Sequence, residues 1–188
     1  MNEVIENIKN RRSVRFYSNR KIEVDTIKKI LDAGNYAPTG AGVQPWRFVV
    51  VTNDEIIKKL AQNAKPIYAA FMDNADEYFK NMRKEFDDAL EDSICYSAPA
   101  IIFVIGKKMV SYEVDCPMVC QNMMLAARSL KIGSCWLGFA TMAVDDNFKA
   151  SVLKLEEDEV VFGPIAFGYP LKEFPQAPEK KEVIVDWV

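Results

Sequence analysis

Apolar residues recur along this chain at two spacings, and each spacing predicts an element. Val4, Ile5 and Ile8 share one helical face across residues 2–11, with Glu6, Lys9 and Asn10 opposite. A second helix is expected from a cap at Asp25, carrying Ile27, Ile30 and Leu31 inward and ended by Gly34 and Pro38. Residues 37–45 hold too much glycine and proline for regular structure and predict an ordered loop. The unbroken apolar run Trp46–Val51 then reads as a strand buried on both faces.

Asp54 predicts the cap of a third helix, with Ile56, Ile57, Leu60 and Ala61 in phase. Residues 65–94 continue as a charged helical stretch whose aromatics, Tyr68, Phe71, Tyr78, Phe79 and Phe86, suit a core, an interface or a lid. Ala100–Ile105 predicts a second central strand. A helix is expected from about Asp115 to Leu130, with Pro117 in its first turn and Gly133 as its left-handed C-terminal cap. A strand at 135–137, a helix around 145–153 and a strand at 160–167 follow, and Gly168-Tyr169-Pro170 stops the last. The tail, 171–188, is irregular until Val183–Val185 turns strand-like again. A lone strand cannot bury itself, so it is expected to dock on a sheet edge of its own chain or a partner's.

Length sets the domain count. The chain has 188 residues, which predicts a single domain over 1–188 with a core large enough to need no staples. It contains no histidine. That excludes Ser-His-Asp and Cys-His catalysis, imidazole-built zinc sites and histidine pH switches, so a cofactor or other side chains must carry any chemistry. A net charge of −3 supplies no basic field for nucleic acid. The longest apolar run, Ala98 to Ile105, falls far short of the about 20 residues a bilayer needs, and the acidic start is no signal peptide. Cys95, Cys116, Cys120 and Cys135 form no CxxC pair and read as reduced thiols of a cytoplasmic protein.

Two segments invite chemistry. Arg11, Arg12, Ser13 and Arg15 place three guanidinium forks and a hydroxyl in one short stretch, a set that matches phosphate oxygens. Taken alone, that segment also reads as a solvated basic turn. Gly40-Ala41-Gly42 is not a dinucleotide fingerprint, because it precedes a strand and Pro45 occupies the sixth position. It reads instead as a loop whose backbone can approach a flat ligand. Cys116 and Cys120, one helical turn apart, make a poor metal site, and none is expected.

Together these segments resemble the nitroreductase family of FMN-dependent oxidoreductases. Arg11-Arg12-Ser13-Val14-Arg15-Phe16 resembles the family's opening motif, and Ala37-Pro38-Thr39 with Gln44-Pro45-Trp46-Arg47-Phe48 its loop and strand. Gln121–Ala127 with Leu130–Gly138, and then Gly168-Tyr169-Pro170 with the tail to Trp187, resemble its later blocks. The resemblance implies an α+β fold, a central mixed β-sheet flanked by helices, in a homodimer that exchanges its C-terminal arm (171–188). FMN would sit at the subunit interface.

By position, Arg11, Arg12, Ser13 and Arg15 would hold the phosphate and ribityl chain, with Arg15 nearest the flavin N1/O2 edge. Pro38, Thr39, Gly40, Gly42 and Gln44 would reach in from the other subunit. Trp136, Leu137 and Gly138 would present backbone to the ring, and Lys180 or Lys181 would meet the phosphate. Gly42 stands where the family usually carries asparagine. The implied reaction passes hydride from NADH or NADPH through flavin N5 to nitroaromatics, quinones or related acceptors, in ping-pong fashion. A flavin-storage protein, or a different flavin reaction such as dehalogenation or dehydrogenation, are the alternatives. Residues 65–94, the variable lid, are the least constrained.

Overall fold

A computed structural model describes residues 2–188. The chain opens with α1 (Glu3–Asn10), capped by the Asn2 side chain, which accepts from the Val4 and Ile5 N–H groups. Then come α2 (Val24–Asn35), β1 (Trp46–Val51), α3 (Asp54–Asn74), α4 (Glu77–Ala89) and β2 (Ala100–Lys107). The second half carries α5 (Tyr112–Ser129), β3 (Gly133–Trp136), α6 (Gly138–Met142), α7 (Asp146–Phe148) and β4 (Glu159–Gly168).

The strands form one sheet in the order β1-β2-β4-β3. The expected mixed sheet is corrected, because all three pairings are antiparallel. The connections explain why. Helices α3 and α4 return the chain to the end at which β1 left, so that Val51 faces Ile101 and β2 must run back. A single parallel bridge, Ser13 to Ser134, lies outside the strands.

Alternation along β2 divides the core. Ile101, Phe103 and Ile105 face α3, α6 and α7, while Ala100, Ile102 and Val104 face α2 and α5. Both faces are covered, so β2 shows no polar alternation. β1 differs from expectation: as an edge strand it is half-buried, and Val50 is exposed.

Several boundaries also move. Gly34 lies inside α2, against Met123 of α5, rather than ending the helix. Asn53, not Asp54, caps α3. Helix α5 starts at Tyr112, which puts Pro117 in its second turn. Lys131, at φ 59°, takes the left-handed position after α5, and the Ile132 N–H closes the turn on the Ala127 carbonyl at 2.8 Å.

Between Ile102↔Ile165 and Val104↔Phe162 the register slips, so Gly163 and Pro164 together oppose Phe103 in a β-bulge. The freed carbonyls are used at once. The Leu137 N–H donates to Pro164 O at 2.9 Å and the Thr141 hydroxyl to Gly163 O at 2.6 Å. The bulge thereby fixes the turn from β3 into α6.

The arm after β4 is tied down only at its start. Ser18 N–H donates to Tyr169 O and Leu171 N–H to Phe16 O, both at 2.9 Å. Beyond Pro175 the chain is exposed, and Val183, Ile184 and Val185 form no strand here and dock on no edge of their own sheet.

Candidate functional site

The Arg11–Arg15 segment runs along the free edge of β3. The Val14 N–H donates to Ser134 O at 3.0 Å, and Val14 buries against Gly133. A Cβ at Gly133 would lie 2.7 Å from Val14 Cβ, so the absent side chain is what allows the segment to lie this close. Ser13 and Arg15 alternate with Val14 and take the other side.

The Cys135 thiol donates to Trp136 O at 3.5 Å, and the charges of Arg15, Arg83 and Arg11, with Ser13 nearby, favour that group's thiolate. Burial outweighs them and pushes the thiol up, which leaves it protonated and inert at neutral pH.

Among the described residues no carboxylate forms an ion pair with Arg11, Arg12 or Arg15. Arg12 Nη1 donates to the Lys9 carbonyl at 2.8 Å, yet its buried Nε has no acceptor. Buried donors without partners are rare in folded proteins, so this one calls for an acceptor. Three uncompensated guanidiniums beside a serine fit a phosphate.

Arg15 is held from a second direction. Its Nε donates to the Tyr96 hydroxyl at 3.2 Å, and its guanidinium lies 5.1 Å from the Phe86 ring centre. Tyr96 is shared with Arg83, whose Nη1 donates to the same oxygen at 2.7 Å. Sequence reading missed both Arg83 and Tyr96. One signal was available: Phe79, Arg83, Phe86 and Leu90 form an i, i+4, i+7, i+11 stripe, with the arginine on the apolar face.

The turn Trp136-Leu137-Gly138 leaves the same edge. Trp136 is exposed, Leu137 is buried, and a Cβ at Gly138 would meet nothing within 4 Å, so backbone is open there. The structure therefore brings Arg11, Arg12, Ser13 and Arg15 together with Trp136, Leu137 and Gly138.

It does not bring the Pro38–Gln44 loop to them. That loop precedes β1, at the opposite edge, three strand spacings or about 14 Å across the sheet. The loop is nonetheless ordered. Gly40 N–H donates to the buried Asp115 Oδ2 at 3.2 Å, Gln44 N–H to Thr39 Oγ1 at 3.0 Å, and Gln44 Nε2 to Asn35 O at 3.3 Å. Gly42 holds φ 69°, a conformation that an asparagine would also tolerate and most residues would not. Lys180 and Lys181 are exposed in the tail. A cavity of about 320 Å³ between α3 and residues 91–99 shares no lining residue with the arginine edge.

An antiparallel sheet clothed by helices on both faces defines an α+β protein, and its arginine–serine edge has the donors to fit an anionic ligand. Comparison with known proteins carries this further. The nitroreductase family model matches residues 8–169, and the chain belongs to the nitroreductase family. A protein of Archaeoglobus fulgidus, provisionally named NADH dehydrogenase/NAD(P)H nitroreductase, is 33% identical over 96% of this chain and 94% of its own. The nitroreductase of Bacteroides fragilis, solved with bound FMN, is 32% identical over 99% of this chain and 100% of that one, with a TM-score of 0.73. An iodotyrosine deiodinase of Haliscomenobacter hydrossis is 28% identical over 85% of this chain and 76% of its own. No described helix is long and apolar enough to cross a membrane.

Proposed function

We propose that two copies of this chain form an FMN-dependent oxidoreductase that draws on NADH or NADPH to reduce nitroaromatics, quinones or related electrophiles. The observation that carries the reading is the arginine edge, with three guanidiniums that have no carboxylate partner among the described residues and the buried Arg12 Nε lacking an acceptor. Bound FMN would supply the two-electron chemistry that a chain without histidine lacks. Arg11, Arg12 and Ser13 hold its phosphate and ribityl chain in this reading. Arg15 sets a positive charge against the N1/O2 edge, where it favours the reduced, anionic form.

The backbone of Trp136, Leu137 and Gly138, positioned by the β-bulge, would lie against the ring. Pro38, Thr39, Gly40, Gly42 and Gln44 come from the second copy, because one chain keeps them at its far edge. Lys180 or Lys181 of the exposed arm adds charge at the phosphate. The aromatics Tyr68, Phe71, Phe79 and Phe139, packed edge to face, are placed to keep water out. No side chain need act as a nucleophile.

The test is an absorbance spectrum of the purified protein after incubation with FMN, before and after anaerobic NADH or NADPH. A yellow protein bleached by a nicotinamide and recoloured by a nitroaromatic or quinone is the expected result. Protein that takes up no flavin ends the reading, and bound flavin that neither nicotinamide reduces marks a storage protein instead. A second reading, reductive dehalogenation, draws support from the deiodinase relative. Iodide release from iodotyrosine by the reduced protein separates the two.

A further inference from the structure

The helical excursion is fastened to the arginine edge through one buried guanidinium. Arg83, on α4, is 5% exposed. Its Nη1 donates to the Tyr96 hydroxyl at 2.7 Å, its Nε to the Tyr68 hydroxyl at 3.1 Å, and its Nη2 to the Ser93 carbonyl at 2.5 Å. Asp87, its one carboxylate, stands at 3.5 Å and also accepts from Tyr68. A buried arginine kept for stability alone is expected in close contact with an acid, since an unpaired buried charge is costly. Here the close bonds run to neutral oxygens, and one of those oxygens also serves Arg15.

Two guanidiniums from distant segments thus converge on one phenol. They also flank the same two rings: Arg15 lies 5.1 and 5.8 Å from the centres of Phe86 and Tyr96, and Arg83 lies 5.6 Å from each. The turn carrying Tyr96 is strained to suit. Tyr96 and Ser97 both adopt left-handed backbone, at φ 59° and 48°, and Asp92 holds them there by accepting from the N–H groups of Ile94, Cys95 and Ser97. Consecutive non-glycine residues in that region persist only where the surroundings insist on them.

We propose that Arg83 is a positioning residue for the redox step, holding the Tyr96 hydroxyl so that Arg15 keeps one fixed direction toward the reduced cofactor. The inference rests on the placement of Arg15 at the flavin N1/O2 edge given above. A free arginine side chain loses rotamer entropy when it commits to one geometry. Charge already in place needs no rearrangement as the flavin gains electrons, and that is where preorganisation acts. The excursion that frames the acceptor thereby also sets the reducing power.

The experiment is the midpoint potential of bound FMN, by anaerobic dye equilibration, in wild type, Tyr96→Phe, Arg83→Met and the double variant. The dissociation constant for oxidised FMN and the thermal midpoint are read alongside. Tyr96→Phe alters no charge, so its shift reports orientation alone. Each single variant is expected to lose about tenfold in preference for reduced over oxidised FMN, a fall of about 30 mV for a two-electron couple. The double variant should fall no further than the larger single, as for residues acting through one another. Oxidised FMN should bind unchanged, and Arg83→Lys, which keeps a donor for Tyr96, should recover part of the shift.

Wild-type potentials in both single variants, whatever their thermal midpoints, would overturn the proposal. A shift in Arg83→Met without one in Tyr96→Phe would overturn it too, leaving only the direct field of a lost charge. Wild-type protein that binds no FMN overturns the site assignment underneath, a result distinct from an unshifted potential in loaded protein. If Arg83→Met fails to fold, Tyr96→Phe decides alone.

Discussion

Arg11, Arg12 and Arg15 share one short segment, but their surroundings give them different tasks. Arg12 is partly spent on backbone, through Lys9 and Arg11, whereas Arg15 is braced by Tyr96 and Phe86. Loss of one charged hydrogen bond costs on the order of 1.5–3 kcal/mol. Arg11→Ala and Arg15→Ala should each weaken FMN binding by roughly one to two orders of magnitude, read by flavin fluorescence titration, while the apoprotein's thermal midpoint moves little. Unchanged affinity in both would contradict the phosphate placement.

Glu23 offers a prediction of another kind. It accepts from the Tyr169 hydroxyl and from Arg20, and these bonds hold its carboxyl down from the ordinary 4.5 to about 2. A carboxyl depressed in the folded state stabilises the fold above its unfolded pKa and loses that contribution as pH falls through the folded one. Unfolding stability should therefore slope downward between about pH 4.5 and about 2, and Glu23→Gln should flatten that slope in an acid titration.

Among the elements, β3 carries the site although it is the shortest strand. Its edge accepts the arginine segment only because Gly133 has no side chain. Gly133→Ala would force a Cβ against Val14 and should cost about 1–3 kcal/mol, as overpacking does. It should weaken FMN binding as well, because the segment must lift away from Ser134. Urea unfolding and the flavin titration measure the two effects. Trimming the neighbour in Gly133→Ala/Val14→Ala should restore part of both.

The elements were unequally legible in the sequence. The central run Ala100–Ile105 and the arginine segment stand out, since continuous burial and clustered charge leave local marks. Gly133 misled: it looked like a helix cap, but Lys131 takes that conformation and the glycine serves a contact with residues far away in the chain. Arg83 was hidden for a similar reason. Its place on an apolar stripe is visible locally, but the phenol it meets is fixed only when the excursion folds back.

At the scale of the whole molecule, the blocks resembling the family predicted an α+β fold, and that holds, although the sheet within one chain is antiparallel throughout. What no local pattern conveys is that the loop before β1 and the segment beside β3 occupy opposite edges of the sheet. The unpaired tail from Val183 to Val188, with Trp187 92% exposed, is likewise unreadable from its own residues alone. In the proposed dimer, both features would be surfaces that meet the second copy.

The opposed edges have a genetic consequence. If each centre takes its arginines from one chain and its loop from another, two separately crippled proteins can mend each other. Chains carrying Arg15→Ala, unfolded and refolded with chains damaged only in the 38–44 loop, should form hybrids in which one centre inherits both lesions and the other neither. Random assortment then returns roughly a quarter of the centres to full competence, from two parents in which every centre carries a lesion.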